Sequence, residues 1–394
     1  MYDLLGPGTI LGYCTNVHPG GTLDELRRSM ETHAVRVREL VCPGGKLPIG
    51  LWLSAASFYE LLGSGNPMAS RDHLLVPWLE GLGLDLFTLN AFPYGDFQGP
   101  VVKHAVYEPN WGQPERVHYV SHLVLAVSAW LPNAKEVSVS TLPLKWGPLP
   151  VDAELREKFA IGVIGAVPAV LPGFHIDFEP EPGCAFQHPA DVVTYFNRLL
   201  RDGTMVFDPQ DFRSAMRVCY DICHAAVMFD QQAAAVREYL NGRVRIGKVQ
   251  ISSALRVRFD SMSAVDRREA RRQLLPFAED RYLHQTMIRY ESGERKFYED
   301  LPLALAQAGD EPRGEWRIHY HVPIFLDRIG LLETTNDEIP AAIRAARELH
   351  DVKHFEVETY AWNVLPSGVW GGTVEEGIAR ELAWVKENAA RWLA

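Results

Sequence analysis

Eight short β-rich runs recur along this chain, and amphipathic helical stretches separate most of them. The runs cover residues 9–14, 49–54, 85–90, 136–142, 174–179, 217–222, 248–252 and 354–360. Helical patterns cover residues 23–40, 114–130, 190–201, 231–240 and 374–393. Parallel strands need crossover connections, usually helices, so repeated βα units imply parallel pairing. Eight such units predict an α/β fold closed into a (β/α)8 TIM barrel, with any site at the C-terminal strand ends.

The 394 residues fit one such barrel over 1–394. Two stretches exceed a minimal barrel. Residues 92–114 form a long Pro/Gly/aromatic loop after the third strand, and residues 255–315 are charged. The second stretch is expected to be a long helical insertion between strands seven and eight. Its segment Asp266-Arg-Arg-Glu-Ala-Arg-Arg272 reads as a solvated helix face. Residues 316–322 would then return as an extra strand toward the site. Long loops on that face of a barrel tend to be lids or substrate-contacting segments.

Net charge is −11, so bulk charge indicates no nucleic-acid surface. No apolar run approaches the roughly 18 residues of a membrane span, so no membrane insertion is expected. The N-terminus, MYDLLGPGTILGYC, lacks the basic and apolar regions of a signal peptide. Five irregularly spaced cysteines do not make a disulfide framework. Together these place the chain in the cytoplasm. There is no P-loop, no GxGxxG after a strand, no GxSxG and no HExxH.

Four strand-like segments end in carboxylates or imidazoles: HIDFEPE (175–181), CYDICH (219–224), IHYHVP (318–323) and FEVETY (355–360). Strand side chains share a face every two residues. Glu179 and Glu181 therefore point together, as do His319 and His321, and Glu356 and Glu358. Charged pairs on one face of an apolar strand are costly to bury unless something pairs them. Oxygen and nitrogen donors gathered from several strand ends make a natural divalent-metal site. Asp221 and His224 form a D-x-x-H at a strand terminus, one βα unit after Glu179. His319 and His321 can ligate directly, or one can ligate while the other binds substrate. Glu356 and Glu358 would repel unless a cation or base separates them, which argues for one ligand and one supporting group. Glu358, nearer the strand end, is taken as the ligand. Solvated loop acids and core histidines are the competing readings. Asn16, His18, Asn90 and His284 are further candidates to bind substrate, alongside Glu181, His319 and Glu356. Each of them could equally be a turn or capping residue.

In this order the residues resemble the xylose-isomerase-like TIM-barrel superfamily of sugar isomerases, sugar epimerases and endonuclease IV. The resemblance implies a divalent metal (Mn, Zn, Fe or Mg) held from strands five to eight. Its ligands here would be Glu179, Asp221 with His224, Gln250 and Glu358. Gln250 stands where the epimerases carry a histidine; Gln is a poor ligand, so His321 is expected to supply the imidazole. The trinuclear endonuclease cluster needs histidines after strands two and three, where this chain has Ser54-Ala-Ala-Ser57 and Asn90-Ala-Phe-Pro93. That argues against DNA repair. The segments 11–20, 176–184, 319–325 and 357–366 also resemble the EboE family, which is associated with an operon for metabolite traffic or secondary-metabolite export.

The expected function is isomerisation or epimerisation of a small, polyhydroxylated, sugar-like metabolite. Glu179 and Glu358 would take and return the proton. Two alternatives stay open: a barrel that binds or hands over a metabolite without catalysis, and metal-assisted hydrolysis or lyase chemistry on the same ligands.

Overall fold

The computed structural model describes residues 1–63, 75–201 and 208–393. Eight parallel strands close into a barrel in the order β1-β14-β7-β6-β5-β4-β3-β2. They are β1 (Ile10–Cys14), β2 (Leu47–Trp52), β3 (Leu84–Asn90), β4 (Val137–Thr141), β5 (Phe174–Phe178), β6 (Met216–Asp221), β7 (Ile246–Ile251) and β14 (His354–Val357). These are the eight strands expected from sequence, in sequence order around the ring. Helices cover the outside. Pro189–Arg201 buries Val192, Tyr195, Phe196 and Leu199, a stripe at helical spacing that packs on the barrel. The last helix, Val374–Leu393, likewise buries Ile378, Leu382, Val385 and Trp392.

The expected helical character of the insertion needs correction. Between β7 and β14 lies a six-stranded sheet in the order β10-β9-β11-β8-β13-β12. Its strands are β8 (Leu255–Arg258), β9 (Thr286–Arg289), β10 (Arg295–Tyr298), β11 (Glu315–Ile318), β12 (Arg328–Ile329) and β13 (Leu332–Thr334). The named pairs are antiparallel. Only Ala264–Leu274 and Leu301–Ala308 are α-helical within 255–315. The strands are short, and arginines alternate with apolar residues in β8, so charge masks the two-residue period. This sheet has its own core, in which Val257, Leu274, Ile288, Leu301, Trp316 and Ile318 are buried.

The barrel interior is unusually polar. Lys248, Asp177, His175, His354, Ser138, Thr88 and Glu356 are all buried. Two glycines make room for it. A Cβ at Gly50 would overlap the Glu356 carboxyl group, and one at Gly247 would overlap that of Asp177.

Candidate metal centre

Glu179 follows β5 directly, Asp221 ends β6, and Glu358 follows β14. One carboxylate oxygen from each lies within 4.8 Å of the others, and all three residues are buried. Asp221 has a second task. Its Oδ1 accepts from the His224 amide at 2.8 Å and so caps the short helix Ile222–Val227. Ser252 Oγ also donates to Oδ1, at 2.9 Å. Asp221 Oδ2 is left buried without a hydrogen-bond partner, as is Glu179 Oε2. Glu358 Oε1 accepts from Asn16 Nδ2 at 2.7 Å.

Three imidazoles close the other side. They have one tautomer in common, fixed by what their Nδ1 atoms meet. His224 Nδ1 donates to the Pro180 carbonyl at 2.9 Å, and His321 Nδ1 to the Glu358 carbonyl at 2.7 Å. His319 Nδ1 lies 2.7 Å from Gln285 Oε1. The amide of Gln285 is oriented by its other end, since its NH2 group faces Glu181 Oε1, the Tyr107 hydroxyl and the Pro182 carbonyl. His319 Nδ1 is therefore the donor. All three Nε2 atoms face the pocket side. His321 Nε2 is buried without a hydrogen-bond partner, 3.9 Å from Asp221 Oδ2. His319 Nε2 lies 3.1 Å from His224 Nε2 and 3.2 Å from the Tyr360 hydroxyl.

The electrostatics follow from burial. Burial, the Glu358 charge and the Asp221 charge push the Glu179 carboxyl well above its ordinary range. Burial and Asp221 push Glu358 up to about 8. Burial raises Glu181 and lowers His319 well below the usual imidazole range, where His224 and His321 add to the effect. Burial also brings His321 down to about 4, against the pull of Asp221. Burial thus favours the protonated forms of Glu179 and Glu358 and the neutral forms of His319 and His321. A divalent cation reverses that balance for the carboxylates.

The residues present fit such an ion. Buried oxygens and nitrogens converge, and no protein donor serves Glu179 Oε2, Asp221 Oδ2 or His321 Nε2. Glu179, Asp221 and Glu358 form one group, and Asp221, His224 and His321 an overlapping one. Glu181, His224 and His319 form a further group that can hold a metal. Two imidazole nitrogens on one zinc ion, bonded at about 2.0–2.1 Å, stand roughly 3.0–3.4 Å apart, which matches the His224–His319 spacing.

Other expected residues lie elsewhere. Glu356 is not in this pocket. It sits deeper in the barrel, where Lys248 Nζ reaches both its oxygens at 3.0 Å and Thr88 donates to it. The base that pairs with Glu356 is therefore Lys248. Burial, the largest single effect, opposes the lysine's charge, but Glu356 and the acidic groups around it together raise its pKa. Gln250 pairs level with Asp221 across β6 and β7, and its two amide atoms are buried without partners. His18 stacks on His33 at 5.0 Å, hydrogen-bonds Tyr13, and lines a separate crevice. His284 supports from behind, 3.1 Å from the His319 carbonyl and 2.9 Å from Glu279. Asn16, Asn90, Glu181 and His319 do line the pocket. Asn90 Oδ1 also accepts from the Phe92 amide at 2.9 Å.

Sequence reasoning missed Tyr107, Ser252 and the orienting role of Gln285. Tyr107 donates to Glu181 Oε1 at 2.7 Å. Its one signal is membership of the long loop 92–114, which does border the pocket through Phe92, Phe97, Val102 and Tyr107.

No protein-family model matches the chain, and no curated protein matches it in sequence. Solved structures do resemble it. One is a xylose isomerase-like TIM barrel protein from Mycobacterium smegmatis in complex with magnesium. It has 12% identity and a TM-score of 0.48 over 94% of this chain and 89% of that one. Another is IolI protein with a bound zinc atom, at 12% identity and a TM-score of 0.46 over 96% and 98%. A third is D-psicose 3-epimerase in the presence of D-fructose, at 11% identity and a TM-score of 0.39 over 86% and 88%. The barrel assignment rests on the strand pairing itself. Among the described residues, no helix is long and apolar enough to cross a membrane.

Proposed function

We propose that this chain is a divalent-metal-dependent barrel acting on a small oxygen-rich metabolite, in the manner of sugar isomerases and epimerases. The observation that carries the reading is the set of buried, partnerless lone pairs on Glu179, Asp221 and His321 beside Glu358. Glu179, Asp221, Glu358 and His321 would hold the ion, and Glu181, His224 and His319 offer a second seat. A bound divalent cation supplies a Lewis acid that holds and polarises neighbouring substrate oxygens.

The rest of the chemistry belongs to side chains. Glu179 and Glu358 enter from β5 and β14, with β6 and β7 between them around the barrel. Glu179 has a free oxygen to take a proton, and Glu358, steadied by Asn16, is placed to return one. Asn16 and Asn90 flank the floor and would orient the substrate. Tyr360 donates toward His319 Nε2 at the pocket edge. The segments that resemble the EboE family support a place in metabolite traffic or a secondary-metabolite pathway.

A binding barrel without turnover is the second reading. The observation that favours it is Gln250, a poor metal ligand that stands where the resembled epimerases carry a histidine. The test is deuterium exchange. Metal-loaded protein incubated in D2O with a panel of α-hydroxy ketones, from ketoses to keto-cyclitols and aryl-bearing ones, should place solvent deuterium on the hydroxyl-bearing carbon next to the carbonyl, and Glu179→Gln and Glu358→Gln should abolish it. Tight, metal-dependent binding with no exchange would favour the second reading.

A further inference from the structure

The wall above the carboxylate and imidazole floor has a different chemistry. Phe92, Phe97, Val102, Val106, Tyr282 and Leu283 line it. The first four come from the loop after β3 and the last two from the segment before β9. Phe97 and Tyr282 lie 5.0 Å apart by ring centroids, and both rings meet Tyr360, at 5.2 and 5.0 Å. The aromatic cluster thus spans barrel loop, insertion and β14 end.

Hydrogen-bonding groups along this wall are already engaged. The Tyr282 hydroxyl lies 3.1 Å from the Phe97 carbonyl and 3.3 Å from Gln98 Oε1. The Pro93 carbonyl accepts from Trp52 Nε1 at 3.1 Å. Tyr107 donates to Glu181. Lys103, the one cation among the pocket-lining residues, pairs with Asp300 at 2.6 Å. A ligand hydroxyl pressed against these rings and aliphatic side chains would give up water for few partners, which is costly. A phosphate would find no uncommitted cation. Oxygens are welcome only at the floor.

We infer that the molecule taken by this pocket carries its oxygens at one end and an aromatic or alicyclic hydrocarbon body at the other. Hydroxyls along its whole length, or a phosphate, do not suit the wall. The inference rests on the reading of the floor as a metal site that takes vicinal oxygens, and it narrows the substrate class for that site. Apolar lining with a few convergent polar groups orients a ligand in this way.

The test is calorimetric titration of the metal-loaded full chain with four probes: 1-phenylpropane-1,2-diol, propane-1,2-diol, xylitol and ribulose 5-phosphate. The phenyl-bearing diol should bind at least about tenfold tighter than each of the others, from burial of the ring. Phe97→Ala should remove most of that advantage and leave metal content unchanged; Leu283→Ala serves if the first variant does not fold. Xylitol or the pentose phosphate binding as tightly as the phenyl diol would overturn the inference while leaving a metal-loaded floor intact. Failure to bind the phenyl diol at all would overturn it as well. If the phenyl diol binds equally well after chelation, the metal reading falls and the preference of the wall stands.

Discussion

The Nε2 atoms of His224 and His319 face each other at 3.1 Å inside the buried site. The Pro180 carbonyl holds the proton of one ring on Nδ1, and Gln285 does the same for the other. Two ring nitrogens held this close in a buried site suit a cation that both can ligate.

Gln285 is therefore a positioning residue. Its carboxamide fixes the tautomer of His319 and also contacts Glu181. Outer contacts of this kind typically change metal affinity about 10- to 100-fold. Gln285→Leu should weaken metal binding by that order, and nitrogen-15 NMR of the imidazoles should show that His319 no longer holds one tautomer. Unchanged affinity with an unchanged imidazole spectrum would remove Gln285 from the account.

Lys248 and Glu356 form a buried ion pair inside the barrel, both fully enclosed. Removing one partner strands the other charge, which costs about 3–5 kcal/mol, whereas replacing both with apolar residues costs much less. Glu356→Gln should lower the urea midpoint strongly, and Lys248→Met with Glu356→Leu should recover most of the loss. If the single variant is as stable as the parent, the pair does not carry charge.

Glu381 gives the fold a dependence on pH. It lies on the last helix and is buried, and burial pushes its carboxyl up to about 7. Its oxygens accept from the Ile324 amide, Thr359 and Trp362, so it ties the chain after His321 to the chain after Glu358. The folded state binds this proton more tightly than the unfolded chain, whose ordinary value is 4.5. The contribution is thus full below pH 4.5 and is lost as pH rises through about 7. That loss is about 3 kcal/mol. Glu381→Gln should flatten the fall in unfolding free energy between pH 5 and 8. An identical pH profile in parent and variant would contradict the assignment.

The barrel was legible because each of its strands is a β-rich run set off from helical pattern, and the strand order follows the chain. The insertion was not. Arg256, Arg258 and Arg295 place charge in its short strands, and such patterns read as solvated helix. Glu179, His321 and Glu358 stand out as candidates by two-residue spacing at strand ends, and Asp221 by its D-x-x-H with His224. Glu356 and Glu358 share a face, so sequence could not tell which lies deeper. Depth is set by register, and Glu356 pairs level with Gln250 on β7 and Gly12 on β1. Gln285 and Tyr107 carry no local signal, because their roles come from long-range packing of insertion and loop against Glu181.

Metal content decides the central claim. The purified parent and an Asp221→Ala/His321→Ala variant would be measured by mass spectrometry after reconstitution with Mn, Zn, Fe or Mg. The account predicts near-stoichiometric metal in the parent and a loss of at least the ion held by Glu179, Asp221, Glu358 and His321 in the variant. No metal in either protein, or equal metal in both, would contradict it.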